Sequence, residues 1–227
     1  MIQINNLSKS YGRKLILNDI SLQFEPGNIY GIIGENGAGK TTQFRCMTGL
    51  EKFEGNIVSD YDILKNNIGM LQTEPYFLNR ITGREYIQLF INARGKSIVD
   101  LSDKNILDLP LDQYITTYST GMKKKIALMA ILLQQNTCYI LDEPFNGVDL
   151  QSNLVILEII KTLKKLNKIV IISSHIFNTL NELCDQICLL RDGKVIKKVG
   201  KETFHEIEQE ISESFTVTEK VKKLMLI

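Results

Sequence analysis

A glycine-rich stretch, GENGAGKTT at residues 34–42, constrains this chain more than any other feature. It contains Gly34-x-x-x-x-Gly39-Lys40-Thr41, the spacing of a loop that wraps around phosphate groups. The apolar run NIYGIIG precedes it, and TTQFRCMTG follows it with the composition of a short helix. The pattern therefore predicts a buried strand, a phosphate-binding loop and a helix in succession.

Each part of this loop has a chemical role. The glycines let backbone N–H groups turn inward around phosphate oxygens, and the start of the following helix adds the positive end of its dipole. Lys40 is predicted to reach the β- and γ-phosphates, and Thr41 to ligate Mg²⁺. The predicted nucleotide contacts of the loop are Gly34, Glu35, Asn36, Gly37, Ala38, Gly39, Lys40, Thr41 and Thr42.

A second apolar run, TCYILDEP, ends in two acids. Asp142 is predicted to hold Mg²⁺, through water, because such a phosphate loop needs an acid for its metal. Glu143 stands one residue further along, where the strand runs out toward the γ-phosphate. It is predicted to orient or deprotonate the attacking water.

Short apolar runs alternate with segments of helical periodicity along the chain. NTCYILDE and KIVIISSH indicate strands buried on both faces, whereas SNLVILEIIKTLKKL and KKKIALMAILLQQ indicate helices. This alternation predicts an α/β fold with a mostly parallel sheet. Residues 2–24 favour an antiparallel piece, and so does the segment around the turn signal Asp192-Gly193. Residues 76–120 predict an inserted helical subdomain without a convincing strand.

Composition excludes several classes of protein. A net charge of +1 points to no nucleic-acid partner. No apolar run reaches the roughly 18 residues of a membrane span, and the N-terminus lacks the apolar segment of a signal peptide. A cytoplasmic protein is therefore expected. The cysteines (Cys46, Cys138, Cys184 and Cys188) lie among apolar residues, which favours buried reduced thiols over a zinc site.

Five motifs occur in a fixed order: the phosphate loop, YSTGM at 118–122, LDEP, NGVD at 146–149 and SSH. Together they resemble the nucleotide-binding domain of ATP-binding-cassette (ABC) proteins over nearly the whole chain. The resemblance implies one P-loop ATPase domain, 1–227, with ATP and Mg²⁺ as cofactors. In it, 1–75 and 121–227 form the core with an antiparallel β subdomain, and 76–120 form a helical subdomain that carries the signature motif at its end.

YSTGM matches the signature motif, which in this family caps the γ-phosphate of ATP held by the other subunit of a head-to-tail dimer. Ser119 offers a hydroxyl, Gly121 offers an open N–H, and a helix start favours an anion. The common form is LSGGQ, so Thr120 and Met122 depart from it. The lysines at 123–125 that follow are equally consistent with a plain solvated face of the helix.

The resemblance assigns three further positions. Tyr11 matches the aromatic residue that stacks on adenine, Asp149 the key acid of a loop that crosses the dimer interface, and His175 the switch histidine at the γ-phosphate.

The family's glutamine, which is catalytic and faces the metal, has two possible registers here. Gln72 follows the predicted strand directly and has the required amide. Anchoring on Glu74-Pro75 instead puts Thr73 at that place. We favour Gln72 from the sequence, and the alternative stays open.

These features predict the ATP-hydrolysing subunit of an ABC membrane transporter, an exporter by its YS-x-GM-K motif, with the transported substrate undefined. The expected partners are a separate integral membrane permease and, on ATP binding, a second copy or a related ATPase. The protein would then lie peripherally on the cytoplasmic face of the plasma membrane. The alternative is a non-transport ABC ATPase of DNA repair or chromosome organisation, but those proteins carry long insertions that 227 residues do not accommodate.

The predicted helical subdomain also offers a docking surface. Tyr76, Phe77 and Leu78 follow a proline in a loop, where apolar side chains need a cover. In the resembling transporters this region receives a short helix of the permease. We therefore predict permease docking there, with burial inside the subdomain as the alternative. Tyr86 and Phe90, four residues apart, are predicted to share the buried face of a helix.

Overall fold

The computed structural model describes residues 1–97 and 100–214. Its strands are β1 (Ile2–Tyr11), β2 (Lys14–Phe24), β3 (Ile29–Ile33), β4 (Glu54–Ser59), β5 (Ile68–Leu71), β6 (Cys138–Asp142), β7 (Ile169–Ser174), β8 (Gln186–Arg191) and β9 (Lys194–Gly200). Its α-helices are α1 (Lys40–Met47), α2 (Gly83–Asn92), α3 (Thr120–Leu133), α4 (Leu150–Lys165), α5 (Phe177–Leu183) and α6 (His205–Ser214).

Six strands form the central sheet, in the order β5-β6-β7-β3-β8-β9. The first five are parallel, and only the edge strand β9 is antiparallel. Every residue of β3, β6 and β7 is buried, because apolar clusters cover both faces of the sheet. The predicted α/β fold with a mostly parallel sheet is therefore confirmed.

Alternate residues of each central strand feed two different cores. In β3, Tyr30 and Ile32 pack with α1 and the strands β1 and β2, whereas Ile29 and Ile33 pack with α3 and α4. This follows from the two-residue period of a strand, which sends successive side chains to opposite faces. The sheet is thus held from both sides, and its strand ends are fixed relative to one another.

The antiparallel part is a separate three-stranded sheet in the order β2-β1-β4. The Asp192-Gly193 signal does form a hairpin, β8–β9, and both residues have positive φ, 48° and 73°, as a tight hairpin turn requires. Its return strand β9 lies at the edge of the central sheet, because β8 pairs with β3 and leaves only its outer edge free. A Cβ on Gly193 would lie 2.1 Å from the carbonyl oxygen of Ile16.

Residues 76–120 contain α2, short 3₁₀ turns and, within the described part, one isolated bridge between Thr82 and Tyr114. Thr82 and Glu85 form a reciprocal capping box that starts α2. The rings of Tyr86 and Phe90 lie 4.7 Å apart by centroid on the inner side of α2, as predicted. The buried residues of this segment belong to the same core as one face of the central sheet.

Among the described residues, no helix has the length and apolarity needed to cross a membrane. Of the tail at 201–227, for which the sequence gives no assignment, the part to 214 ends in α6. Residues 215–227 lie outside the described residues.

The cysteines give a test of the core. All four thiols are free and buried, and burial raises their pKa, to about 11 for Cys46 and to about 12 for Cys188. We expect a thiol reagent at pH 8 to modify none of them rapidly in the folded protein and all four after unfolding in guanidinium. Rapid modification of any of them without unfolding would contradict this packing.

Candidate nucleotide-binding site

Four neighbouring parallel strands, β5, β6, β7 and β3, end at one edge of the central sheet. A cleft of about 660 Å³ lies there, at the carboxyl ends where α/β sheets bind ligands. The predicted site residues that line it are Tyr11, Glu35, Asn36, Gly37, Gly39, Lys40, Thr41, Thr42, Gln72, Asp142, Glu143 and His175. Those that do not line it are Gly34, Ala38, Ser119, Gly121, Met122 and Asp149.

The loop between β3 and α1 has the backbone that its glycines predict. Gly37 and Gly39 have φ of 88° and 111°, which side chains of L residues rarely allow. A Cβ on Gly34 would lie 2.3 Å from the backbone oxygen of Leu190. The helix α1 has no side-chain cap and no acid in its first turn. Its first N–H groups are therefore available to an anion.

Lys40 lies inside the cleft with few partners. Its Nζ donates to the backbone oxygens of Gly34, at 2.6 Å, and Glu35, at 3.2 Å, and lies 3.9 Å from a carboxylate oxygen of Glu143. Burial lowers the pKa of Lys40, while Glu143 and Asp142 oppose that shift. A cation held only by loop carbonyls and one distant carboxylate is well placed to bind phosphate oxygens instead.

The residues around Asp142 fit a magnesium ion. One carboxylate oxygen, Oδ2, accepts hydrogen bonds from the hydroxyls of Thr41, at 2.6 Å, and Thr73, at 2.8 Å. These donors are all hard oxygens, which Mg²⁺ prefers, and they leave room for the phosphates and waters that usually complete its shell. The described residues contain no cluster of three His, Cys, Asp or Glu side chains that would form a complete protein cage.

Glu143 is held in a strained conformation at the end of β6. Its φ is 51°, in the left-handed region that a residue with a side chain adopts only under constraint. The backbone N–H donates to Ser173 Oγ at 3.0 Å, and both carboxylate oxygens lie 3.1 Å from His175 Nδ1. The carboxylate is mostly buried, while His175 is half exposed. This geometry suits a general base that a histidine keeps in position.

Ser173 is a site residue to which the sequence analysis gave no role. Its hydroxyl donates to the second oxygen of Asp142 and accepts from the N–H of Glu143, so it fixes both acids. The signal was a polar residue ending an apolar strand. Its meaning depends on the register of β6 with β7, which pairs Asp142 with Ser173.

Gln72 and Thr73, the two possible positions of the family's glutamine, make different contacts. Gln72 follows β5 directly and lines the cleft, but among the described residues it makes no hydrogen bond to Asp142. Thr73 makes that bond. The metal-side contact in this structure thus belongs to the alternative register, and the role of Gln72 stays a prediction.

The signature residues lie on α3, away from the cleft of their own subunit. Ser119 caps α3, its hydroxyl accepting from the N–H of Met122 at 3.3 Å. A Cβ on Gly121 would lie 2.9 Å from the backbone oxygen of Gly147, so the glycine is also needed for close packing. The contact of this helix start with a second ATP stays a prediction.

Asp149 caps a different helix, α4. Its carboxylate accepts from the N–H of Ser152 at 2.9 Å and the hydroxyl of Ser152 at 2.7 Å, and these bonds lower its pKa to about 2. Lys125 Nζ lies 3.6 Å from it. Its role at a dimer interface stays a prediction.

Tyr11 lies at the mouth of the cleft, 44% exposed, with Lys9 Nζ 4.7 Å from its ring centroid. An exposed aromatic face at this place is available for stacking on a base.

The three predicted docking residues differ in their exposure. Tyr76 and Leu78 are 78% and 50% exposed, but Phe77 is partly buried, 4.8 Å by centroid from the ring of Tyr86. For Phe77 the structure therefore shows the alternative, packing within its own segment.

Comparison with known proteins shows which family this chain is similar to. Residues 17–146 match the model of the ABC transporter family. The chain is 34% identical, over 86% of its length and 89% of the relative's, to a lantibiotic transport ATP-binding protein, SrtF, of Streptococcus pyogenes. It is 30% identical, over 94% of its length and 73% of the relative's, to the bacitracin transport ATP-binding protein BcrA of Enterococcus faecalis. A solved ATP-binding subunit of an ABC transporter superposes with a TM-score of 0.80, at 25% identity over 93% of each chain.

The two glutamine-loop registers predict different Mg²⁺ requirements. We expect Thr73→Val to raise the Mg²⁺ concentration for half-maximal ATP hydrolysis by roughly fivefold or more, because it removes one hydroxyl from the carboxylate that faces the metal. Gln72→Met, the matched control, should change it by less than about twofold. Binding of Mn²⁺ to the nucleotide complex, followed by electron paramagnetic resonance, should show the same order. The opposite order would assign the role to Gln72.

Proposed function

The chain belongs to the ABC transporter family of ATPases, and we propose that it is the ATP-hydrolysing subunit of a membrane exporter whose permease is a separate protein. The observation that carries the hydrolytic part is the convergence of Lys40, Asp142, Glu143 and His175 in one cleft. A chain that only bound nucleotide would not need a buried carboxylate held by a histidine. The transport part rests on the names of the two relatives above, and the export part on a third, the SkfA peptide export ATP-binding protein SkfE of Bacillus subtilis, 31% identical over 91% of this chain.

In this proposal each group has one task. The N–H groups of the loop at 34–42 bind the phosphates, and Lys40 exchanges the carbonyl of Gly34 for phosphate oxygens. Thr41 and Asp142, which are hydrogen-bonded to each other here, would hold Mg²⁺, and the ion would supply positive charge to neutralise the phosphates. Glu143 orients the attacking water and accepts its proton, and His175 keeps that carboxylate aimed at the γ-phosphate.

The proposed active form is a dimer, either of two copies or with a related ATPase. Its motive is that the helix start at Ser119 and Gly121 matches a phosphate-capping motif, yet does not line the cleft of its own chain. A second subunit would bring that start onto the ATP, and closure on ATP would drive the permease. We propose that the complex lies on the cytoplasmic face of the plasma membrane and that its cargo is chosen by the permease.

The alternative, a non-transport ABC ATPase of DNA repair or chromosome organisation, is less well supported. The relatives named above are transport proteins. The longest helix among the described residues, α4, has 16 residues, far from the length of a coiled-coil arm.

Hydrolysis is tested by two substitutions in the cleft. Lys40→Ala should lower the Mg²⁺-dependent ATPase rate by about 100-fold or more, because it removes the charge that stabilises the transferring phosphate. Glu143→Gln should lower the rate as strongly but leave the Kd for ATP within about threefold, because the amide keeps the shape and loses the base. A Lys40→Ala variant with the wild-type rate would refute the assignment, and so would a wild type that is inactive even with its permease.

The dimer is tested in the Glu143→Gln background, where ATP should persist. With saturating ATP, size-exclusion chromatography should show a dimer, and adding Ser119→Arg should abolish it while ATP still binds. Ser119→Ala is the milder comparison: it loses the helix cap, a cost of about 1 kcal/mol, and the hydroxyl offered to phosphate, but it adds no bulk or charge at the interface and should weaken the dimer less than Ser119→Arg. A Glu143→Gln protein that stays monomeric at saturating ATP would argue against the shared site.

Permease docking is tested by separating the exposed tyrosine from its packed neighbour. Tyr76→Asp should leave ATP binding and thermal stability unchanged but prevent pull-down of the permease. Leu166→Asp, the control at another exposed apolar residue, should leave ATP binding, thermal stability and pull-down of the permease unchanged. Phe77→Ala should lower the Tm by several degrees, because its ring packs on Tyr86. A Tyr76→Asp protein that still binds the permease fully would exclude this surface.

A further inference from the structure

The second of the three lysines after the signature motif is not part of a solvated face. Lys124 is only 4% exposed, although it lies just one turn into α3. Its Nζ donates to the backbone oxygen of Glu143 and to that of Asn146, each at 2.8 Å. It does not line the nucleotide cleft. The ammonium group therefore contacts the segment that carries the proposed hydrolytic carboxylate from outside the cleft.

Lys124 completes the hold on the backbone of Glu143. The N–H of that residue is bound by Ser173, and its carbonyl is bound by Lys124. A left-handed residue with a side chain persists only where its surroundings determine it. These two contacts support it here, together with a longer hydrogen bond from the N–H of Asn146 to the same carbonyl, at 3.3 Å. Without the ammonium, the carbonyl of Glu143 would lose a charge-assisted partner and the strained conformation one of its supports.

Two neighbouring contacts join the same pieces. Gly121 lies against the backbone oxygen of Gly147, and Lys125 Nζ binds Ser152 Oγ at 3.0 Å beside Asp149. The start of α3, from Gly121 to Lys125, is thus attached to the start, middle and end of the segment 143–149. Lys124 is the member of this set that reaches Glu143.

Stability alone is a poor reason for this lysine. Burying an ammonium group is costly, and among the described residues Lys124 has backbone oxygens as its hydrogen-bond partners and no carboxylate in a salt bridge. Burial lowers its pKa, and the nearby charges of Glu143 and Asp142 only oppose that shift. An apolar side chain of the same length would fill the space at a smaller cost. What it would not supply is a fixed geometry for two carbonyl groups.

We propose that Lys124 is a positioning residue that locks the backbone of Glu143 and Asn146 to the start of α3. This inference rests on the proposed function, in which Glu143 acts on the ATP of its own subunit while the start of α3 caps the ATP of the other. Lys124 then makes the two parts one rigid body, so that engagement of one ATP sets the position of the base at the other.

The proposed role of Lys124 predicts three measurable effects. Lys124→Met, which keeps length and removes the donors, should lower kcat by roughly tenfold or more while the KM and Kd for ATP stay within about twofold. The Hill coefficient for ATP should fall toward one, because ATP binding at one site of the dimer would no longer be coupled to the other site. Lys124→Arg, which keeps a charged donor, should restore most of kcat. Lys123→Met, the neighbouring control on the same helix, should behave as wild type.

A measurement without turnover separates this inference from the proposed function. In the ATP-free protein, hydrogen exchange of the amides at 143–149 should be at least about tenfold faster in Lys124→Met than in wild type or Lys123→Met, with the loop at 34–42 unchanged. If the wild type hydrolyses no ATP, the proposed function fails and this exchange arm alone decides on Lys124.

Three results would overturn the proposal. The first is a Lys124→Met protein with the kcat and the hydrogen-exchange rates of the wild type. The second is a Lys124→Met protein that loses ATP binding and kcat to the same extent. The third is faster hydrogen exchange across the whole Lys124→Met chain, which would mark a general stabilising role. If Lys124→Met does not fold, Lys124→Gln replaces it, since its shorter amide can reach at most one of the two carbonyls. Wild-type kcat and exchange in Lys124→Gln would overturn the proposal as well.

Discussion

The carboxylate of Asp142 is the point on which the cleft depends. It accepts hydrogen bonds from three hydroxyls: Thr41 at the start of α1, Thr73 in the loop after β5 and Ser173 at the end of β7. A nearly fully buried acid is costly unless its oxygens are occupied in this way. The same network that makes the acid tolerable also fixes the phosphate loop, the loop after β5 and the end of β7 around one point.

The parallel sheet makes that network possible. Since β5, β6, β7 and β3 run in the same direction and are held by apolar cores on both faces, their polar ends meet at one edge. The rigid strands supply the distances, and the residues just beyond them supply the chemistry. The strained backbone of Glu143 is stabilised by this frame through its N–H and by Lys124 through its carbonyl.

A second part of the molecule is built around the segment 143–149. It joins the Glu143 carboxylate to the cap of α4 at Asp149, and the start of α3 packs against it through Gly121 and two lysines. A motif that the sequence presents as a surface for phosphate is therefore also an internal packing element. This explains why a glycine and a lysine stand there even in a single subunit, before any partner is considered.

The sequence by itself determined the α/β class, the phosphate loop, the two acids and the hairpin at Asp192-Gly193, because each depends on a local pattern whose spacing fixes its structure. Only the tertiary structure decided the partners across the chain. It placed Thr73 rather than Gln72 on Asp142, gave Ser173 its two bonds, buried Lys124 and packed Phe77 on Tyr86. Some of those contacts join residues that are distant in the sequence. Others depend on the register of neighbouring strands and on the direction in which a helix runs. No local pattern encodes which of two adjacent side chains, Gln72 or Thr73, will face the carboxylate of Asp142, which lies 69 residues beyond Thr73.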